Sequence, residues 1–320
     1  MPILGGGLKK NESTSSALPS TDQTSALTVP SGNGLSFPDG VKVWYECDDA
    51  VIDVCFIHGL SGNRDSTWTA NGQPGPWPKL FLPDRLPKAR LLTFGYDAYI
   101  IRNGATRAVG INSLADHARG LLHDLTNARA SPNESSRGII FVAHSLGGLV
   151  CKSAILLSRN NPENYLQDIF DRTLGFIFLG TPHQGAWMAH LGNIAVHTLG
   201  VFASTNTKLL EILKPQNDAL IEIERAFRSM VRELREGGRR LELMCFYEEL
   251  KTFADVVVTQ HSATFSDYPI LSIHANHSDM VKFDSAENNG FQRVFAVLRR
   301  WKEGAISRLS DREISLVDRS

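Results

Sequence analysis

Cysteine is scarce in this 320-residue chain: Cys47, Cys55, Cys151 and Cys245 stand singly, with no CxxC pair. That spacing argues against a disulfide scaffold and against a cysteine zinc site, and makes a reducing compartment the default. Long apolar runs are missing as well. No stretch reaches the ~18 uninterrupted apolar residues of a membrane span. Neither sign of charge is in excess, since 33 Lys and Arg face 34 Asp and Glu for a net charge of −1. A chain built mainly to grip nucleic acid or an anionic membrane would be strongly basic. The opening Met1-Pro2-Ile3-Leu4 and its three glycines lack the basic-then-apolar order of a secretory signal, and Pro2 breaks the myristoylation pattern. An intracellular, cytoplasmic protein is the resulting expectation. What the chain does have is ordinary globular composition, 42% hydrophobic and 21% charged, enough to bury a full core.

Among the first 40 residues, 23 are Ser, Thr, Gly, Pro or Asn. Such a composition offers too little apolar surface to offset chain entropy, so residues 1–40 read as a disordered leader. The domain proper is expected over 41–303, with 304–320 as a short, charged, flexible tail. Within it short apolar runs alternate with helical patterns. Strands are expected at 41–46, 51–57, 90–94, 138–143, 174–179, 241–247 and 269–273, and helices at 112–130, 146–158, 162–173 and 291–301. Strand alternating with helix implies a mainly parallel sheet with helices on both faces. The interval 185–240 breaks the rhythm with helical stretches near 188–202 and 217–236. Leu220, Ile223, Phe227, Met230 and Leu234 form an apolar stripe there, which reads either as a lid over a pocket or as packing on the body.

The most informative segment is Ile139-Ile140-Phe141-Val142-Ala143-His144-Ser145-Leu146-Gly147-Gly148. A buried strand runs into a serine flanked by small residues two before and two after, then into a helix. This is the nucleophile elbow, with Ala143 for the first glycine. The turn is so tight that larger neighbours would collide, and it aims the Leu146 amide and the helix N-terminus at a developing oxyanion. A second loop, His58-Gly59-Leu60-Ser61-Gly62, follows an apolar strand and offers the amide of Leu60 as the other oxyanion donor.

A base belongs in the loop before the final helix. His274 and His277 are both there, and His277, further from the strand, has more freedom to reach across. His117 and His123 read as surface residues of a helix, and His190 and His197 fall in the insertion. His274, His277 and Asp279 also admit a metal-ligand reading, but no matching partners lie elsewhere in the chain. The acid must lie between serine and histidine in chain order. Glu248 is nearest a strand end, with Glu249 and Asp255 as alternatives.

Phe56-Ile57-His58-Gly59-Leu60, Thr67-Trp68, Leu92-Thr93-Phe94-Gly95-Tyr96-Asp97, Val142 to Val150, and Phe178-Leu179-Gly180-Thr181-Pro182-His183 occur in that order. Together they resemble the serine-active-site-containing proteins of the α/β-hydrolase superfamily, related to the DUF676 and PGAP1-like lipase groups. Similar domains stand at the N-termini of fungal NACHT-type receptors. The resemblance covers roughly residues 41–301. It implies an α/β-hydrolase fold with a lid-like helical insertion, Ser145 as nucleophile, His277 as base and a glutamate at the position of Glu248. Relatives of this kind are linked to phospholipid or acyl-chain chemistry at the endoplasmic reticulum or mitochondria.

The expected activity is therefore cleavage, or acyl transfer, of a lipid-like carboxylic ester through an acyl-enzyme on Ser145, with no metal or organic cofactor. Peripheral membrane contact is compatible with such a substrate. Trp68, Trp77, Trp187 and Met188 are candidates for an apolar pocket lining, with core packing as the alternative. The rival reading is a hydrolase fold kept for signalling or scaffolding with little or no turnover.

Overall fold

The computed structural model describes residues 39–60, 62–98, 113–183, 218–251, 257–265 and 267–317, with the backbone alone of 101–102 and 204–205. Trp187, Met188, His190, His197, Asp255, residues 1–38 of the expected leader and most of 184–217 lie outside them.

Seven strands make one sheet: β1 (Gly40–Tyr45), β2 (Ile52–Ile57), β3 (Ala89–Gly95), β4 (Gly138–His144), β5 (Thr173–Leu179), β6 (Glu242–Glu248) and β7 (Ile270–Ile273). Their order is β1-β3-β2-β4-β5-β6-β7. The edge strand β1 runs antiparallel to β3 and every other pairing is parallel. This is the α/β-hydrolase arrangement that the resemblance implies. The main helices are α1 (Leu114–Asn127), α2 (Leu146–Arg159), α3 (Asn164–Arg172), α4 (Asp218–Glu236) and α5 (Asn289–Val317).

Side chains alternate across each strand, so one run of buried residues feeds two cores. Cys55, Phe141 and Phe176 face a core closed by Leu121 and Leu125 of α1, Leu149 and Ile155 of α2 and Ile169 of α3. Val54, Phe56, Ile140 and Ile177 face the other, closed by Phe291 and Leu298 of α5. Trp68 and Trp77 belong to this second core rather than to a pocket. Their rings meet that of Phe56 at 5.1 and 5.6 Å, and Trp77 Nε1 donates to the oxygen of Val281 at 2.9 Å. Helix α1 begins with a capping box, in which Ser113 and Asp116 exchange side-chain and backbone hydrogen bonds.

Two features of the helices bear on the expected insertion and tail. Phe227 and Met230 of α4 are fully buried, and Phe227 meets Phe176 edge to face at 5.5 Å, so the described part of the insertion packs on the body. Helix α5 continues to Val317, beyond residue 303 where a flexible tail was expected. Its later residues are charged yet free of proline and rich in helix formers, which lets the hydrogen-bonded backbone propagate.

One polar group interrupts the all-buried strand β2. Asp53 is fully buried and accepts bonds from Arg90 Nε and Nη2 at 2.8 and 2.9 Å and from Arg129 Nη1. Arg129 also donates to the oxygen of Arg137 at 2.7 Å, and Arg90 Nη1 reaches Glu134 at 2.5 Å. The cluster clamps the N-terminal ends of β2, β3 and β4. Among the described residues no helix is long and apolar enough to cross a membrane.

Candidate active site

At the opposite, C-terminal end of the sheet, β4 stops at His144 and α2 starts at Leu146, leaving Ser145 alone to make the turn. Its φ of 52° and ψ of −123° are costly for a residue with a Cβ. Neighbours impose them. The Ser145 amide donates to the oxygen of Leu179 at 2.9 Å, and the Ser145 oxygen accepts from Thr181 Oγ1 at 3.2 Å and from the Gly148 amide at 3.1 Å. The small residue two positions on is required by contact, because a Cβ on Gly147 would lie 2.4 Å from the oxygen of His58. The exit loop of β2 and the first turn of α2 are thus in backbone contact.

His277 and Glu248 come together beside this turn. Glu248 is the last residue of β6, and its Oε2 lies 2.5 Å from His277 Nδ1. Its other oxygen accepts the amides of Val257 and Val258. A carboxylate held this way only accepts, so Nδ1 carries the ring proton and Nε2 is the free acceptor. That Nε2 is buried and has no hydrogen-bond partner in the protein. The His277 loop is pinned from the side of Ser145, since His144 Nε2 lies 2.9 Å from the oxygen of His277. Gly180, at φ 58°, makes room for the ring, because a Cβ there would sit 2.9 Å from His277 Cε1. Gly180 directly follows Leu179, the residue that accepts the Ser145 amide, so Ser145 and His277 flank the same strand end.

The two candidate oxyanion donors border the serine. Leu146 is the first residue of α2, where amides have no partner within the helix. Leu60 follows Gly59, whose Cβ, were it present, would touch Ser145 Cβ at 2.8 Å. The His58 side chain shapes this loop. Its Nε2 accepts the Tyr96 amide at 3.2 Å, its Nδ1 faces the oxygen of Gly59 at 2.9 Å, and its ring stacks on Tyr96 at 4.4 Å. Burial lowers its pKa to about 4, so the imidazole is neutral, with Nδ1–H as the donor to Gly59.

The structure thus brings Ser145, His277, Glu248, Leu60 and Leu146 to the same end of the sheet, while among the other described candidates Glu249 and His274 pair with each other. Glu249 Oε2 pairs at 2.7 Å with Nδ1 of His274, whose side chain is 78% exposed. Asp279 accepts from Asn276 Nδ2 at 2.8 Å and from Lys282 Nζ at 3.3 Å. Among the described residues no group of three His, Cys, Asp or Glu could hold a metal ion. His117 is not a surface residue: it is buried against the Tyr96 ring at 4.7 Å, and burial lowers its pKa to about 4. The side chains of His58, His144, Lys152, His183 and Glu224 are also buried or part-buried near this end of the sheet, and no motif in the sequence assigns these side chains a role.

The family model described as "Putative serine esterase (DUF676)" matches residues 53–265. Protein SERAC1 of Danio rerio is 26% identical over 289 residues, covering 82% of this chain and 42% of that protein. Protein SERAC1 of Homo sapiens is 24% identical over 287 residues, covering 82% of this chain and 41% of that protein. The chain therefore spans about two fifths of the length of the curated relatives it matches. Among solved structures, phospholipase PlaB from Legionella pneumophila is similar with a TM-score of 0.52 at 12% identity, covering 82% of this chain and 63% of that one. At that identity the likeness speaks to the fold. The family match spans β2 from Asp53, the turn at Ser145 and strand β6, and the chain belongs to the DUF676 serine-esterase family.

Proposed function

We propose that this chain hydrolyses a lipid-like carboxylic ester through an acyl-enzyme on Ser145. Ser145 Oγ attacks the carbonyl carbon while His277 Nε2 takes its proton, and the Glu248 carboxylate stabilises the resulting imidazolium. The amides of Leu60 and Leu146 receive the negative oxygen of the tetrahedral intermediate. The imidazolium then protonates the departing alcohol, and water, activated by the same histidine, releases the acid. An acceptor alcohol in place of water would make the same site a transacylase.

The observation that carries this reading is the 2.5 Å Glu248–His277 contact, which leaves a buried Nε2 without a hydrogen-bond partner on a loop whose backbone is bonded to His144, the residue before the strained Ser145. The serine-esterase family supports the reaction class, and the phospholipase of similar fold suggests a lipid-like acyl group. Labelling with a fluorophosphonate, followed by mass spectrometry of the labelled peptide and a screen of esters by chain length, tests it. The adduct is expected on Ser145, with labelling and turnover abolished in Ser145→Ala. An adduct on another serine, or full activity in Ser145→Ala, would overturn the mechanism. A folded wild type that neither labels nor hydrolyses any ester would leave the scaffold reading.

A further inference from the structure

Behind the nucleophile, a charge sits where an apolar side chain is expected. Lys152 of α2 has a wholly buried side chain, enclosed by the rings of Phe178, Phe227 and Phe265 at 5.2, 5.3 and 5.7 Å. Its ammonium donates to His183 Nδ1 at 2.5 Å and to Glu224 Oε1 of α4. The ring proton of His183 is then on Nε2, which faces Cys245 Sγ of β6 at 3.6 Å. Arg228, also on α4, lies over the Phe265 ring at 4.2 Å.

A buried ion pair is a poor way to gain stability, since desolvation costs several kcal/mol per ion and a well-packed apolar pair does as well or better. What the pair offers is a fixed geometry, and the elements it fixes are those of the site. Lys152 is on the helix that starts at the serine elbow. His183 ends the segment in which Gly180 makes room for His277 and Thr181 donates to the Ser145 oxygen. The His183 amide donates to the oxygen of Ser262 at 2.7 Å, tying this segment to the short helix Gln260–Ala263. That helix closely follows Val257 and Val258, whose amides hold Glu248. One buried cluster therefore reaches the surroundings of all three proposed triad members.

We infer that Lys152, Glu224 and His183 form a positioning network that holds the Gly180–His183 loop and the start of α2 in the geometry that strains Ser145. The inference rests on the reading of Ser145 as nucleophile. It assigns α4 a role in catalytic geometry, exerted through Glu224. It also predicts an alkaline limit. Burial lowers the Lys152 pKa against the opposing pull of Glu224, with Cys245 supporting the charge and Arg228 opposing it. As pH rises through that lowered value the ammonium loses its proton and the network loosens; without the Glu224 charge this happens at lower pH.

The test uses the full chain as wild type, Glu224→Gln, and the double variant Lys152→Met with Glu224→Leu. Thermal midpoint, kcat and KM for p-nitrophenyl butyrate across pH, and amide hydrogen exchange are measured together. Glu224→Gln is expected to lower kcat about ten- to hundredfold with KM within about twofold, as for misplaced catalytic groups, and to move the alkaline fall in kcat to lower pH. Exchange at the amides of Ser145, Gly180 and His183 should quicken while those of β2 and β3 stay protected. The double variant should regain the thermal midpoint without regaining kcat. A folded Glu224→Gln with wild-type kcat, or a double variant in which midpoint and kcat recover together, would overturn the network. A wild type with no turnover would sink the nucleophile reading instead. In that case exchange decides alone, and unchanged protection at the three amides in Glu224→Gln rejects the network.

Discussion

The ring of His144 donates a 2.9 Å hydrogen bond to the main-chain oxygen of His277, across 133 residues of sequence. A carbonyl only accepts, so the proton is on His144 Nε2, and burial holds the ring pKa well below 6.5, keeping it neutral. The residue just before the proposed nucleophile thus anchors the loop that bears His277, the proposed base. His144→Phe keeps the ring and removes the donor. It is expected to lower kcat about tenfold, equivalent to ~1.4 kcal/mol, with KM little changed, and steady-state kinetics on a short ester will show it. Unchanged kcat would make the contact a packing detail.

The adjacent glutamates should separate sharply. Glu248 serves His277 and two amides in the interior, whereas Glu249 serves His274 at the surface. Glu248→Gln is expected to cut kcat by about 10³–10⁴, the scale seen when an orienting carboxylate becomes an amide. Glu249→Gln should stay within about twofold. The reverse ranking in kcat would move the acid by one residue.

Ser145 occupies its turn at φ 52°, a value that suits glycine better than serine. Ser145→Gly should therefore be more stable than Ser145→Ala by about 1 kcal/mol, although both lack the hydroxyl and neither should label. Denaturant midpoints give the comparison. An equal or lower midpoint for the glycine variant would mean the turn stores little strain.

Stability should fall in mild acid. Burial holds His58, His117 and His183 near a pKa of about 4, below the ordinary value of 6.5. The unfolded chain therefore binds more protons than the native one between these values. The stabilisation is complete above about pH 6.5 and is lost as pH drops towards about 4, by on the order of 2 kcal/mol per histidine at pH 4.5. His117 Nε2 is buried without a partner, so His117→Phe is the cleanest probe. Its thermal midpoint should fall less than wild type between pH 7 and pH 4.5; parallel curves would refute the assignment.

Much of this site could be read from local sequence because local sterics dictate it. The Ala143-x-Ser145-x-Gly147 spacing answers to a turn whose backbone contacts leave no space for a Cβ at Gly147. Glu248 stands out as the carboxylate nearest the end of the strand expected at 241–247, and His277 as a loop histidine before the last helix. Side chains whose roles depend on distant partners were not. Lys152 reads as one more surface lysine of a helix until residues 31 and 72 positions away close over it. Trp68 and Trp77 are equally apolar in a pocket or in a core, and only the neighbouring Phe56 and Phe283 decide between the two. His117 is polar in name yet lies on the buried face of its helix, packed against the Tyr96 ring.

The clamp of Asp53, Arg90 and Arg129 sits at the end of the sheet remote from Ser145. Its location gives the scaffold room to evolve. Loops at the C-terminal rim can be exchanged, lengthened or retuned while the sheet remains fastened from below. Selection for a new substrate and selection for a durable fold therefore act on separate sets of residues, and a gain in one need not be made at the expense of the other.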